Sequence, residues 1–238
     1  MKRLSSKLLC LLFILISTLA HADTQNFQFG VGGTIIDIQA PHKFHEVPSL
    51  FPEFERFFKT ITPQTNRLLG ALISEEDLQR ANENQEPKLN RYMMLQVAYQ
   101  MENKSVSSAE FQDLTSTIKK LQKTLLQKIK DKTADEVTNN FSEEYKIPVD
   151  IKIGEPVPLG TFVEQSDAYG FGNLMRYKVS SGEKEIEYDM VTGISFLRVK
   201  SRVLFAYVYC LYESEKDINW AKSKSIEWID SMLKLNSK

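Results

Sequence analysis

The sequence predicts an α+β fold: an antiparallel β-sheet flanked by helices in an α-β-α sandwich. Three observations predict it. From Val149 to Tyr212 the chain reads as consecutive strand segments joined by short turns, which requires antiparallel pairing. The last segment, Arg202 to Tyr212, is apolar on both faces, so layers must cover both sides of it. Two capping signals, Ser107 with Glu110 and Ser214 with Asp217, open helices that can supply those layers.

The elements follow in chain order. Met1 to Ala22 has the three parts of an export signal: a basic start at Lys2, Arg3 and Lys7, an apolar run from Leu8 to Ala20, and the small-x-small site Ala20-His21-Ala22. Cleavage after Ala22 is expected, leaving a single domain over 23–238. At about 1.5 Å per residue the apolar run falls short of a bilayer of about 30 Å. Asp23 to Gly33 reads as a loose glycine-rich arm, Thr34 to Ile38 as a strand, and Pro41 to Pro48 as a proline-bounded connection. Phe51, Phe54, Phe57 and Phe58 share helical spacing in a helix over Leu50 to Lys59. Asn66 to Ile73 is a strand, and Ser74 with Asp77 caps a short helix. Asn90 to Met101 reads as one long strand, with Met93, Leu95, Val97, Tyr99 and Met101 facing the core.

Ser107 opens a long central helix that meets neither Gly nor Pro before Tyr145. Its apolar stripe is expected at Phe111, Leu114, Ile118, Leu121, Leu125 and Ile129. Some 38 residues would span about 57 Å, so the helix is expected either to break near Asp131 to Asp135 or to project at one end. Strands follow at Val149 to Gly154, Gly160 to Gln165, Gly172 to Val179, Lys184 to Val191, Ile194 to Val199 and Arg202 to Tyr212, with Thr192-Gly193 among the turns. A C-terminal helix begins after Ser214 and turns Ile218, Ala221, Ser225, Trp228, Ile229 and Met232 inward.

Composition narrows function. The chain has 238 residues; removing the 22-residue leader leaves 216, with 27 basic and 31 acidic side chains and a net charge of −4. That excludes a strongly basic nucleic-acid binder. Only Cys210 remains among the cysteines, so the mature chain has no intramolecular disulfide and holds by packing.

The run Ile35-Ile36-Asp37-Ile38-Gln39-Ala40-Pro41-His42-Lys43-Phe44 leads a strand into a proline turn and an aromatic. The chain closes with a long strand and a helix carrying Trp220-Ala221, Trp228-Ile229 and Asn236. In this pattern it resembles the PsbP-like group, the extrinsic protein of the photosynthetic oxygen-evolving complex and its bacterial relatives. The resemblance implies an α-β-α sandwich and a binding or accessory role. It brings no functional residues.

Candidate chemistry is sparse. His42 and His45 lie within a proline-bounded loop, where a spacing of three does not converge on a metal. Gly193-Ile194-Ser195-Phe196-Leu197 lacks the second glycine of a nucleophile elbow, and Cys210 sits on a buried strand. Glu183, Glu185, Glu187 and Asp189 alternate on one strand face, the pattern of a solvated surface. Two surfaces remain as binding candidates. One is a basic face of the long helix, Lys119, Lys120, Lys123 and Lys130, opposite the apolar stripe. The other is the aromatic, glycine-rich stretch Tyr169-Gly170-Phe171-Gly172-Asn173, read as a loop with Tyr169, Phe171 and Asn173 as its contact residues.

The resulting expectation is an exported protein, periplasmic or secreted. It acts as a non-catalytic binding or accessory module, with a protein or cell-envelope component as partner, without cofactor or metal. A secreted hydrolase using carboxylates is the alternative, and a homo-oligomer built through the long helix is a third reading.

Overall fold

A computed structural model describes residues 25–47 and 51–237. The export signal and the start of the first predicted helix lie outside them. The architecture is α+β, with an eight-stranded antiparallel sheet between helices. Its elements are β1 (Asn26–Val31), β2 (Thr34–Gln39), β3 (Phe44–Glu46), α1 (Pro52–Thr60), β4 (Asn66–Ser74), α2 (Glu75–Asn82), β5 (Arg91–Ala98) and the single-turn α3 (Tyr99–Glu102). They continue with α4 (Ser108–Tyr145), β6 (Asp150–Ile153), β7 (Val157–Gln165), β8 (Ala168–Ser181), β9 (Lys184–Val199), β10 (Arg202–Leu211) and α5 (Glu215–Leu235). The main sheet runs β3-β4-β5-β10-β9-β8-β6, with β7 also paired to β8.

One face of the sheet is closed by α5. Ala221, Trp228, Ile229 and Met232 pack on Val191, Leu197, Leu204, Ala206 and Val208. The β1–β2 hairpin joins this layer. It is the expected loose arm, corrected to a strand by its turn: Gly32 and Gly33 both take positive φ, the geometry that two-residue hairpins favour. Asn236 ties the hairpin to the end of α5, donating from Nδ2 to the Asp37 carbonyl at 2.7 Å and accepting from the Asp37 amide at 3.0 Å.

The other face carries α1 and α4. Phe54 and Phe58 of α1 bury against Ile73, Tyr92 and Met94. Helix α4 opens on a full capping box, with Ser107 and Glu110 each bonding the other's backbone, and ends at Lys146 in the left-handed region. It neither breaks near Asp131 nor projects. β9 has 16 residues, about 53 Å at 3.3 Å each, so the sheet is nearly as long as the helix. The helix is fastened at both ends. Phe111 packs on Val106 and Val203, while Phe141 meets Phe57 edge-on at 6.0 Å. Thr138 Oγ1 accepts from the Ile151 amide at 3.0 Å.

Two strands depart from expectation. β5 stops at Ala98, because the chain turns into α3 rather than continuing to Met101. β9 runs straight through Thr192-Gly193, where a turn is predicted. Gly193 is there for a close approach: a Cβ on it would meet the Ser225 hydroxyl of α5.

Candidate functional site

Strand register places the predicted contact residues. Tyr169, Phe171 and Asn173 are not in a loop. They lie in β8, paired with Phe196, Ile194 and Thr192 of β9. The actual turn is at Ser166-Asp167, one step earlier. The glycines between them serve packing, since a Cβ on Gly172 would run into the Phe162 ring on the α5 side of the sheet. Alternation then puts Tyr169, Phe171 and Asn173 on the opposite face, beneath α4. All three are buried. Tyr169 and Phe171 are covered by Ile118 and Leu126 of α4, so they are core rather than exposed contacts.

Of the basic face, Lys119, Lys120 and Lys123 are exposed as expected, while Lys130 is turned inward. Lys119 Nζ is 2.6 Å from Glu164 on β7 and lies 4.8 Å from the Tyr169 ring centre. Lys130 keeps only 14% of its side chain exposed and sits 2.6 Å from Glu155. These two lysines clamp α4 to the β7 side of the sheet. Lys120 and Lys123 remain on the outer surface. The stripe rotates accordingly: Phe111, Thr115, Ile118 and Leu126 are buried, while Leu121 is 47% exposed. A step of four residues advances 400°, so the buried line drifts past Leu121 along a helix this long.

The face beneath α4 is unlike the one beneath α5. Cross-strand rungs carry Tyr92, Tyr209, Thr192 and Asn173 in one row, and Met94, Tyr207, Ile194 and Phe171 in the next. Further along, Tyr177 pairs with Tyr188. The rings run nearly parallel: Tyr92 stacks on Tyr209 at 4.5 Å, Tyr207 on Tyr209 at 6.2 Å, and Tyr177 on Tyr188 at 5.5 Å. Tyr177, Tyr188, Tyr207 and Tyr209 are only half-buried, though β8, β9 and β10 are interior strands. Burial pushes the Tyr207 phenol up to about 12 and those of Tyr92 and Tyr209 well above the ordinary range. Tyr177 is raised by burial and by neighbouring Tyr188, with the Thr192 hydroxyl acting weakly in the other direction.

One side chain on this floor is out of place. Asn173 is 0% exposed, and neither Oδ1 nor Nδ2 has a hydrogen-bond partner. Thr192, its cross-strand neighbour at 1% exposed, makes no hydrogen bond through Oγ1 that meets ordinary geometry. Gln96 shows the usual solution on the same face, accepting from Asn66 at 2.9 Å. Leaving a buried amide unpaired costs roughly 1–3 kcal/mol. Arg202 and Trp228 also have one unpartnered buried nitrogen each, but Arg202 donates elsewhere to Gly32 and Thr34, and Trp228 belongs to the α5 core. Sequence reasoning reached Asn173 but placed it in a loop. It missed the tyrosine floor, whose members come from four strands.

The remaining candidates have structural roles. Glu185, Glu187 and Asp189 are ion-paired with Lys178 and Arg176 across β8 and β9. Their hydrogen bonds to Lys178 and Arg176 hold Glu185 and Asp189 below the usual carboxylate range. His45 sits in edge strand β3 opposite Ile73, and the His42 amide donates to Glu227. No group of three or more metal-ligating side chains converges among the described residues. Cys210 is buried and its thiol is pushed up to about 11, chiefly by burial. Among the described residues, no helix is long and apolar enough to cross a membrane.

No protein family and no curated protein matches the chain. Solved structures that align include the Ran-binding protein Mog1p of Saccharomyces cerevisiae, 12% identical over 89% of this chain and 94% of that one, at a TM-score of 0.34. A point mutant of the protein Mog1 aligns at 11% identity, covering 88% of this chain and 94% of that one, at a TM-score of 0.35. Likeness at this level carries no argument about function.

Proposed function

We propose that this chain is an exported, non-catalytic binding or accessory module of the PsbP-like kind, and that it binds through the polar pair Asn173 and Thr192 on the tyrosine face of the sheet. The leader from Met1 to Ala22 supports export. The observation that carries the binding site is Asn173, a fully buried amide without a partner on an aromatic face of the sheet. Binding sites are mostly apolar with a few placed polar groups, and this face has that composition. The mature protein should be isolated from its own export compartment and weighed by native mass spectrometry. A chain beginning at Asp23 and carrying a bound mass that Asn173→Leu lacks is the expected result. Protein retained in the cytoplasm with Met1 to Ala22 intact would overturn export. A bare mass in every preparation would overturn the binding role.

A further inference from the structure

We propose that the open edge of β1 pairs with the same edge of a second copy of this chain, joining two β1–β2 hairpins into one continuous sheet about a twofold axis. An unpaired strand edge invites another chain to pair with it, and proteins blunt such edges. Among the described residues the other edges are blunted. On β3 the Glu46 amide donates to Gln25 Oε1 at 2.9 Å. On β6 the Ile151 amide donates to Thr138 of α4. β7 carries Pro158 and two breaks in register. On β2, Lys200 donates to the Ile35 carbonyl at 3.0 Å, and Asn236 bonds both backbone groups of Asp37.

β1 is the exception. It pairs with β2 alone. Ile35 and Asp37 turn their backbone groups away from β1, so their antiparallel partners Gly30 and Gln28 face away from β2 as well, and Asn26 with them. Arg67 takes the Gly30 carbonyl at 2.7 Å. The backbone amides and carbonyls of Asn26 and Gln28 are left without a partner among the described residues. Alternating N–H and C=O groups along an edge call for an extended strand. With Gly30 taken, the open groups centre on Phe27. A twofold axis there sets Asn26 against Gln28 of the second copy, and the two Phe27 rings against each other. Identical chains meet like against like at such an axis, so a charged edge would repel its copy. Asn26 to Val31 carries no charge and no proline, and its carboxamides can pair with one another. Phe27, half-buried on its own hairpin, gains a second ring as neighbour. The contact is small, so the dimer forms at high concentration and parts on dilution. The hairpin lies on the α5 side of the sheet, so this dimer stands apart from the reading of Asn173 on the other face.

The test is sedimentation of the protein as recovered from the export compartment, over a concentration series. A monomer–dimer equilibrium is expected, with amide exchange at Asn26 and Gln28 slowing as the dimer fills. Two surface variants then probe the edge: Asn26→Lys with Gln28→Lys, and Asn26→Glu with Gln28→Glu. Each sets like charges opposite one another across the axis and should weaken dimerisation by about tenfold. Mixed in equal amounts, the two set opposite charges together and should restore a mixed dimer. Both positions are exposed, and circular dichroism checks that the variants fold. The exchange measurement needs no variant, so it decides even if they do not. A monomer at every concentration would overturn the proposal. So would a dimer whose Asn26 and Gln28 amides exchange as fast as in the monomer, or folded variants that dimerise as well as the unaltered protein, since the dimer would then use another surface. Folded variants that form no mixed dimer would overturn the pairing of Asn26 with Gln28.

Discussion

Asn173 gives the sharpest prediction at the scale of the residue. A buried amide without partners is a stability defect, so its removal should strengthen the fold. Asn173→Leu, close in volume and apolar, should stabilise the protein by about 1–3 kcal/mol, read as a higher urea midpoint at unchanged slope. A lower midpoint would mean that the amide is satisfied in solution. Gain of stability with loss of ligand is the signature of a residue kept for function. Gly172, its neighbour, predicts the opposite. A Cβ there meets the buried Phe162 ring, so Gly172→Ala should cost about 1–3 kcal/mol by overpacking, checked by the same denaturation curve. The sequence shows glycine alternating with aromatics here but not why. Glycine for a turn and glycine for a crowded strand look alike until the Phe162 ring and α5 are in place.

At the scale of the element, α4 is the unusual part. Its start was legible, because the Ser107–Glu110 capping box is a local signal that tertiary contacts do not override. Its course was not. The inward line depends on a rotation that accumulates along 38 residues, and on Glu164 and Glu155, which draw Lys119 and Lys130 to the β7 side. The same limit hid the length of β9: Thr192-Gly193 resembles a turn, yet long pairing with β8 and β10 carries the strand through it. The two ends of α4 are held by separate contacts, so they should respond separately. Phe141→Ala removes the ring that meets Phe57 and stacks on Tyr145. Amide exchange should then quicken over 134–145 and stay unchanged over 108–118, as measured by hydrogen–deuterium exchange. Ser107→Ala should do the reverse and cost about 1 kcal/mol. Equal acceleration at both ends in either variant would show that α4 opens as one unit.

For the whole molecule, the two faces of the sheet age differently with pH. The α5 face buries Phe44, Phe162 and Trp228 among aliphatic side chains and no tyrosine, whereas the α4 face holds phenols whose ionisation is deferred by burial. Tyr207 is pushed up to about 12, and Tyr92 and Tyr209 lie well above the ordinary range. An unfolded chain ionises tyrosine near 10. Below pH 10 both states keep their phenol protons, so this contribution to stability is complete. Above it the unfolded state releases protons that the folded state retains, and stability falls as pH rises. Tyr207 alone loses about 2 kcal/mol between pH 10 and 12, and its buried neighbours add to the loss. The protein should therefore unfold cooperatively in that window, with tyrosinate absorbance at 295 nm rising together with the loss of circular dichroism. Tyr207→Phe removes one of the groups that drive the transition, and the alkaline midpoint should move upward. Smooth titration of every tyrosine near pH 10 with the fold intact would mean that water reaches these phenols freely, and the buried aromatic face would fall with it.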